Sequence, residues 1–264
     1  MRDLKKHARK SRYLRTVYSW MTQVADPISM MRALHNLVWY LQDWHRYAHL
    51  PGAEPIRFVD SWPQLHDRTS KTPFDAHYFW MNGWAMRRIV AQRPVQHVDI
   101  GSQTMFVNLL SAVLPVTFMD YRSLDAKITG LTNLGGDILN LPFADGSIVS
   151  LSCLHVAEHI GLGRYGDPLN PYGTRQACAE LQRVLAPGGN LYFALPVGRP
   201  RVCFNGCRIH APRVIMDYFV GLELLEFSAV YDDGRYVEHV GLDEFSSSYY
   251  ACGLFWLYRV TAGT

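Results

Sequence analysis

Residues 136–168 read GDILNLPFADGSIVSLSCLHVAEHIGLGRYGDP, and residues 180–198 read ELQRVLAPGGNLYFALPVG. Within them SIVSLSCLHV (147–156) is a short apolar run, and NLYFALPVG (190–198) is a second one, closed by glycine. Between the two, ACAELQRVLAPGG (177–189) sets Ala177, Leu181, Val184 and Leu185 on one helical face and ends on Pro-Gly-Gly, a helix stop. Apolar strand, helix and apolar strand in succession predict parallel strands covered on both faces.

Working outward, VQHVDIG (95–101) and VTFMDYR (116–122) are two further strands, each ended by an acid or glycine. Downstream, strands at about 222–231 and 249–260 have no clear helix between them and read as an antiparallel pair at one edge. The expected fold is therefore α/β, a Rossmann-like, mostly parallel sheet with an antiparallel edge hairpin. Before residue 95 the pattern is different: helices and aromatic-rich loops. Leu14, Val17, Tyr18, Met21 and Val24 recur at helical spacing until Asp26-Pro27; a second helix runs from about Ser29 to Leu50, stopped by Pro51-Gly52; a third covers about Asp75 to Ala91. The expected division is a helical N-terminal extension or lid over 1–94 and an α/β domain over 95–264.

Composition narrows the function. With 48 % apolar and 19 % charged residues, the 264-residue chain forms a packed core and is not disordered. A net charge of +3 argues against a dedicated nucleic-acid binder. No apolar run is long enough to span a bilayer, and MRDLKKHARKSRYLRTVYSW (1–20) has no apolar h-region, so no secretory signal is expected. Five cysteines, an odd number at irregular spacing, point to reduced thiols and a cytoplasmic location. Cys203 and Cys207, with His210 nearby, make half a zinc site that lacks a clear fourth ligand, and no metal is expected. Seven basic residues among the first fifteen face only Asp3, which suits a peripheral contact with anionic lipid, a solvated helix face or a homo-oligomer contact.

Ligands of an open parallel sheet sit beyond the carboxyl ends of its strands. Asp99 and Gly101 close the first strand and Asp120 the second, where a carboxylate can accept both hydroxyls of a ribose. GSQTMF (101–106) has one glycine where a dinucleotide fingerprint needs three, and no phosphate loop is present. A cofactor with a ribose but no phosphate fits better, and S-adenosylmethionine (SAM) is one. His155, Glu158 and His159 spell HxxEH, which is also a zinc-hydrolase pattern. Here, however, His155 closes a strand and glycines follow at once, so orientation of the loop and direct catalysis both remain open readings.

The two stretches quoted first resemble class I SAM-dependent methyltransferases, whose sheet has seven strands. HDRTSKTPFDAHYFWMNGWAMRRI (66–89), LHVAEHIGLGRYGDP (154–168) and RVCFNGCRIH (201–210) resemble more closely the domain-of-unknown-function family 268. The resemblance implies a first SAM loop at Asp99, Gly101 and Ser102, ribose binding by Asp120, adenine contacts from Asp137 and Ile138, and Leu154 and His155 bordering the sulfonium. Ser102, Gln103 and Thr104 stand where the superfamily usually has further glycines. The implied reaction is O-methylation of a saccharide or glycolipid-type acceptor in cytoplasmic surface-polysaccharide synthesis. His155 is the first candidate base, with His159 and Asp167 behind it. Arg164, Asn205, Arg208 and His210 are candidates for the acceptor pocket, the last three equally for capping the next helix. His77, Tyr78, Phe79, Trp80 and Trp84 form a lid or, as such stripes usually do, pack in the core. Two other readings compete: a non-catalytic methyltransferase-fold scaffold in glycan assembly, and a zinc hydrolase built on His155, Glu158 and His159.

Overall fold

A computed structural model describes residues 17–261 apart from 19 and 24. The basic start of the chain therefore lies outside the described residues, and with it the expected membrane contact. The chain forms two compact units, Met1–Pro73 and Phe74–Thr264. In the first, helix α1 (Pro27–Ala48) starts where Asp26 accepts hydrogen bonds from the Ile28 and Ser29 amides and Pro27 occupies the first turn. Asn36 donates to the Leu65 carbonyl at 2.6 Å, tying the following loop back to the helix. No helix among the described residues is long and apolar enough to cross a membrane.

The second unit begins with α2 (Ala76–Gln92), capped by Asp75. Then come β1 (His97–Ile100), α3 (Thr104–Ser111), β2 (Val116–Asp120), β3 (Leu131–Gly135) and β4 (Ile148–Leu154). Helix α4 (Gly173–Val184) leads to β5 (Leu185–Val197), followed by the β6 (Arg201–Cys203) and β7 (Cys207–Ile209) hairpin and α5 (Pro212–Tyr218). The chain closes with β8 (Glu223–Val230), β9 (Tyr236–Val237) and β10 (Ala251–Tyr258). The sheet order is β3-β2-β1-β4-β5-β10-β8-β9, parallel through β5 and antiparallel after it. This is the expected Rossmann-like sheet with its antiparallel edge. Two details differ. The two-residue β9 adds an eighth strand, and β10 inserts between β5 and β8.

The helix expected to reach Pro-Gly-Gly stops earlier, at Val184. Pro187 has no amide hydrogen and Gly188 has φ +78, so the triplet is accommodated as an irregularity inside β5, where pairing jumps from Ile148↔Leu185 to Ser150↔Asn190.

Alternate residues of β5 face two cores. Leu191, Phe193 and Leu195 pack with Ala177, Leu181 and Ile215; Tyr192 and Ala194 pack with Met81, Trp84, Ala85, Ile89 and Phe106. Helix α2 is thus one wall of the sheet's own core. The boundary between units falls at Pro73/Phe74 and not at 94/95, because this helix buries its apolar face on the sheet. Trp84 Nε1 donates to Glu226 Oε1 on β8 at 3.0 Å, and Arg88 donates to both oxygens of Glu226 at 2.8 and 2.6 Å. The aromatic stripe therefore divides. Trp84 is fully buried, Trp80 stacks on Tyr236, Phe79 is exposed, and His77 and Tyr78 approach the rim of the sheet.

Candidate active site at the carboxyl rim of the sheet

The parallel strands end on a hollow of about 860 Å³, part of it open to solvent. Gly101, Asp120, Asp137, Ile138, His155, His159 and Asp167 all line it. A second hollow adjoins it, lined by Ser102, Gln103, Thr104, Leu154 and Tyr78, and the two share Gly101, Asp120, Arg122, His155 and Tyr165. Nine of the residues expected at the cofactor or the chemistry are thus brought to one rim.

Gly101 makes the approach possible. It has φ +69, a left-handed conformation, and a Cβ there would lie 3.0 Å from Val156 Cγ1. Ser102 does not crowd the loop. Its amide donates to Asp99 Oδ1 at 3.0 Å, and its Oγ accepts the Leu154 amide at 3.0 Å, so the side chain is turned into the sheet. Hydrogen bonds from side chains thereby shape a loop that further glycines would otherwise shape.

The three strand-end acids do not behave alike. Asp120 Oδ1 accepts the Arg122 amide at 2.8 Å, and Asp137 Oδ1 accepts the Leu139 amide at 2.9 Å. The second oxygen of each has no hydrogen-bond partner among the described residues and remains available to a ligand. Asp99, expected in the cofactor loop, is fully buried and lines neither hollow. It accepts from Ser102 and, through a short bond, from Ser152; His97 joins that chain through Ser152 at 2.8 Å and Ser150 at 2.7 Å. Burial pushes the Asp99 carboxyl up to about 6 and the His97 imidazole down to about 3. Asp99 supports the loop from behind.

The turn after β4 concentrates charge. His155 has φ +58, in the left-handed region, and is nearly buried. Its Nδ1 lies 3.0 Å from Glu158 Oε1, and its Nε2 lies 3.1 Å from Cys252 Sγ on β10. Burial opposes its charge, but Cys252 and Glu158 outweigh burial and hold the imidazole well above its ordinary value. Glu158 is fully buried; burial disfavours its charge, yet the two histidines hold its carboxyl low. His159 is held low by burial, against the pull of Glu158. Its Nδ1 donates to the Gly206 carbonyl at 2.6 Å, which leaves Nε2 as the lone-pair nitrogen, with Arg164 Nη1 at 3.3 Å from it. Asp167, though on the hollow, accepts the Gly161 amide at 2.6 Å and the Tyr165 amide at 3.2 Å, and these backbone bonds outweigh burial and hold its carboxyl low. It organises the loop.

Ala157–His159 is a 3₁₀ turn, so HxxEH does not present two imidazoles on one α-helical face. Glu158 Oε1 sits against both rings, at 3.0 and 3.5 Å, and His159 Nδ1 is spent on Gly206. The zinc-hydrolase arrangement of these three residues is not formed.

The acceptor candidates fall outside the hollow. Arg208 is buried and donates to the carbonyls of Ile160 and, at 2.8 Å, Asn170, spending its charge on loop backbone. Arg164 packs over Tyr165 and donates to Gly206 at 3.2 Å. Asn205 has φ +60 in the β6–β7 turn and reaches the Leu162 carbonyl at 3.4 Å. His210 lies edge-on to Tyr218 with its Nε2 unpaired, and burial lowers it to about 4. Residues that do line the rim, and that the sequence reading missed, are Arg122 and Tyr165; the guanidinium stacks over the ring at 4.4 Å. Only the position of Arg122, two residues past a strand-end acid, signalled it.

This sheet order, with acids closing successive strands onto one hollow, defines a class I SAM-dependent methyltransferase architecture. Residues 100–193 match a family model described as a methyltransferase domain. Residues 147–244 match a model described as Caenorhabditis protein of unknown function, DUF268, the resemblance expected from LHVAEHIGLGRYGDP and RVCFNGCRIH. Among solved structures, the (4+2)-cyclase SpnF is similar at 14 % identity, over 69 % of this chain and 82 % of that chain, with a TM-score of 0.50. Geranyl diphosphate methyltransferase is similar at 14 % identity, over 69 % and 78 %, also with a TM-score of 0.50. At such identities the likeness is one of fold. No curated protein matches.

SAM is the cofactor of this class, and the residues present fit it. Gly101 leaves the strand end open, Asp120 and Asp137 each keep an acceptor oxygen on the hollow, and Ile138 and Met119 supply apolar surface between them.

Proposed function

We propose that the protein is a SAM-dependent methyltransferase that methylates a hydroxyl of a saccharide or glycolipid-type acceptor. The observation that carries this reading is the shared hollow, which Asp120, Asp137, His155 and His159 all line. When bound, SAM supplies an electrophilic methyl group on a sulfonium. Asp120 accepts the ribose hydroxyls through Oδ2. Asp137 would accept a hydrogen bond from the adenine amino group, and Ile138 would supply apolar surface to the base. The amino end of α3, which opens at Thr104 on the second hollow, offers backbone amides to a carboxylate.

The acceptor half of the proposal rests on the second hollow. Gln103, Thr104, Ser123 and Asp125 line it with amide, hydroxyl and carboxylate side chains, together with Tyr78 and Tyr165. Polar groups and ring faces suit a polyhydroxylated molecule. His159, neutral at neutral pH, accepts the proton of the acceptor hydroxyl at Nε2, and buried Glu158 at 3.5 Å stabilises the imidazolium that results. His155, already held toward its charged form by Glu158, positions this turn and is the weaker base. The fold by itself does not carry the reaction, since SpnF, a cyclase by name, shares it.

The test is transfer of labelled methyl from SAM to nucleotide-sugar and lipid-linked saccharide pools. Product that is labelled, base-stable and saccharide-containing supports the proposal. Labelled product in a protein fraction, or S-adenosylhomocysteine formation indifferent to any saccharide, overturns the acceptor half. His159→Gln lowers kcat at least ~100-fold with little change in the KM for SAM, as loss of a general base does.

A further inference from the structure

The first imidazole of the turn after β4, His155, has company that neither HxxEH nor CFNGC signals. His77 in the first turn of α2, His155 after β4, and Cys252 on β10 each bring one ligand atom to within 4.8 Å of the others. They come from three separate segments, so no sequence spacing reveals them. His155 Nε2 faces Cys252 Sγ at 3.1 Å. Behind His155, Glu158 Oε1 stands 3.0 Å from Nδ1. The His77 ring stacks on the Tyr250 ring at 5.2 Å.

We infer that His77, His155 and Cys252 form a binding site for a divalent metal ion of the zinc class. The donor set is two imidazoles and a thiolate, which suits zinc better than the hard ions that prefer oxygen. Four-coordinate zinc at bond lengths of about 2.0–2.3 Å holds its ligand atoms roughly 3.3–3.6 Å apart. The cluster is within side-chain adjustment of that spacing. His155 is backed by a carboxylate, as metal-bound histidines often are. Two features of the turn accord with such a site. His155 holds a left-handed backbone that a histidine adopts only under constraint, and both oxygens of fully buried Glu158 lack a well-directed hydrogen bond. The strain aims His155 Nε2 at Cys252. The carboxylate supplies negative charge behind a cation site.

On binding, the cation replaces the proton shared by Cys252 Sγ and His155 Nε2. The Cys252–metal and His–metal bonds form, and that proton leaves to solvent. Three protein ligands leave a fourth position for water or a substrate atom, as in catalytic zinc sites. His155 and Tyr78 line the second hollow, so the site adjoins the place where an acceptor would sit. The inference goes beyond the methyltransferase reading and does not require it.

The experiment is titration of the full-length protein, stripped with chelator, with Co²⁺ alone as the spectroscopic stand-in, in the absence of SAM. One equivalent bound, with thiolate-to-cobalt charge transfer and the intense visible bands of four-coordinate cobalt, is the expected result. Cys252→Ser abolishes the charge-transfer band, and His77→Gln weakens cobalt binding at least ~10-fold. Cys203→Ser, which removes an exposed thiol, leaves both unchanged. Because Cys252 is fully buried and its variant can fail to fold, His77→Gln is the independent arm. Absence of charge transfer in the unaltered protein, its persistence in Cys252→Ser, its loss in Cys203→Ser, or full affinity in His77→Gln each overturns the site. Cobalt binding without SAM binding would uphold this inference and sink the proposed function.

Discussion

The rim of this sheet has two halves built on opposite principles. Beyond β2 and β3 stand two short carboxylates, half-buried Asp120 and exposed Asp137, each using one oxygen on its own loop and leaving the other free. Under β4 and β10 the side chains are buried, mutually charged and engaged with one another: His155 with Glu158 and Cys252, and His159 with Glu158 and Gly206. The first half is made to receive a ligand at little cost to the fold. The second half is made to hold a geometry. Asp99 shows where the boundary runs, since it sits on β1 yet is turned inward into the Ser152–His97 chain. Substitutions in the first half should therefore act mainly on binding; in the second half, removal of the shared partner Glu158 should act mainly on stability.

The largest expected effect lies in the second half. Glu158→Ala removes a fully buried partner and leaves His155 and His159 without their counter-charge. It should destabilise the protein by about 3–5 kcal/mol in urea denaturation. A loss under about 1 kcal/mol would mean that this half is not a closed structural unit.

The next effect tests the boundary. The Asp99 carboxyl, raised to about 6, is protonated in the fold when it would be ionised in the unfolded chain. A carboxyl with a raised folded value contributes stability in full below its unfolded value near 3.8, and that contribution disappears as pH rises to about 6. The difference in stability between the unaltered protein and Asp99→Asn should therefore shift by about 3 kcal/mol, against the unaltered protein, between pH 3.5 and 7. A flat difference would place Asp99 in contact with water, on the ligand side of the boundary.

Smaller still is Gly101→Ala. The left-handed backbone and the approach to Val156 should cost about 1–2 kcal/mol in stability. The same Cβ narrows the hollow, and SAM affinity measured by calorimetry should fall about 10-fold. Stability lost with affinity unchanged would remove Gly101 from the ligand half.

The same division explains what could be read from the sequence. The parallel sheet was legible because its strands are continuous apolar runs; Ile148–Leu154 and Leu191–Val197 are buried almost throughout. The acids Asp120 and Asp137 were legible because a strand end is a local feature. Helix α2 was placed with the N-terminal extension because its stripe, read alone, does not say which surface covers it. Its ion pair runs from Arg88 to Glu226, across 138 residues. Arg208 and Asp167 were expected at the ligand because their charge is visible in sequence, whereas the backbone groups that consume it are not. Cys252 carried no signal, since its partners His77 and His155 lie 175 and 97 residues before it.

The account stands on the claim that the β1–β3 rim receives a nucleoside. Isothermal titration of SAM and S-adenosylhomocysteine into the unaltered protein and into Asp120→Ala tests it most directly. Loss of two charge-assisted hydrogen bonds to the ribose predicts saturable one-site binding in the former and affinity weakened roughly 100-fold in the latter, with the thermal midpoint unchanged. No heat from either ligand, or equal affinity in the two proteins, would contradict it.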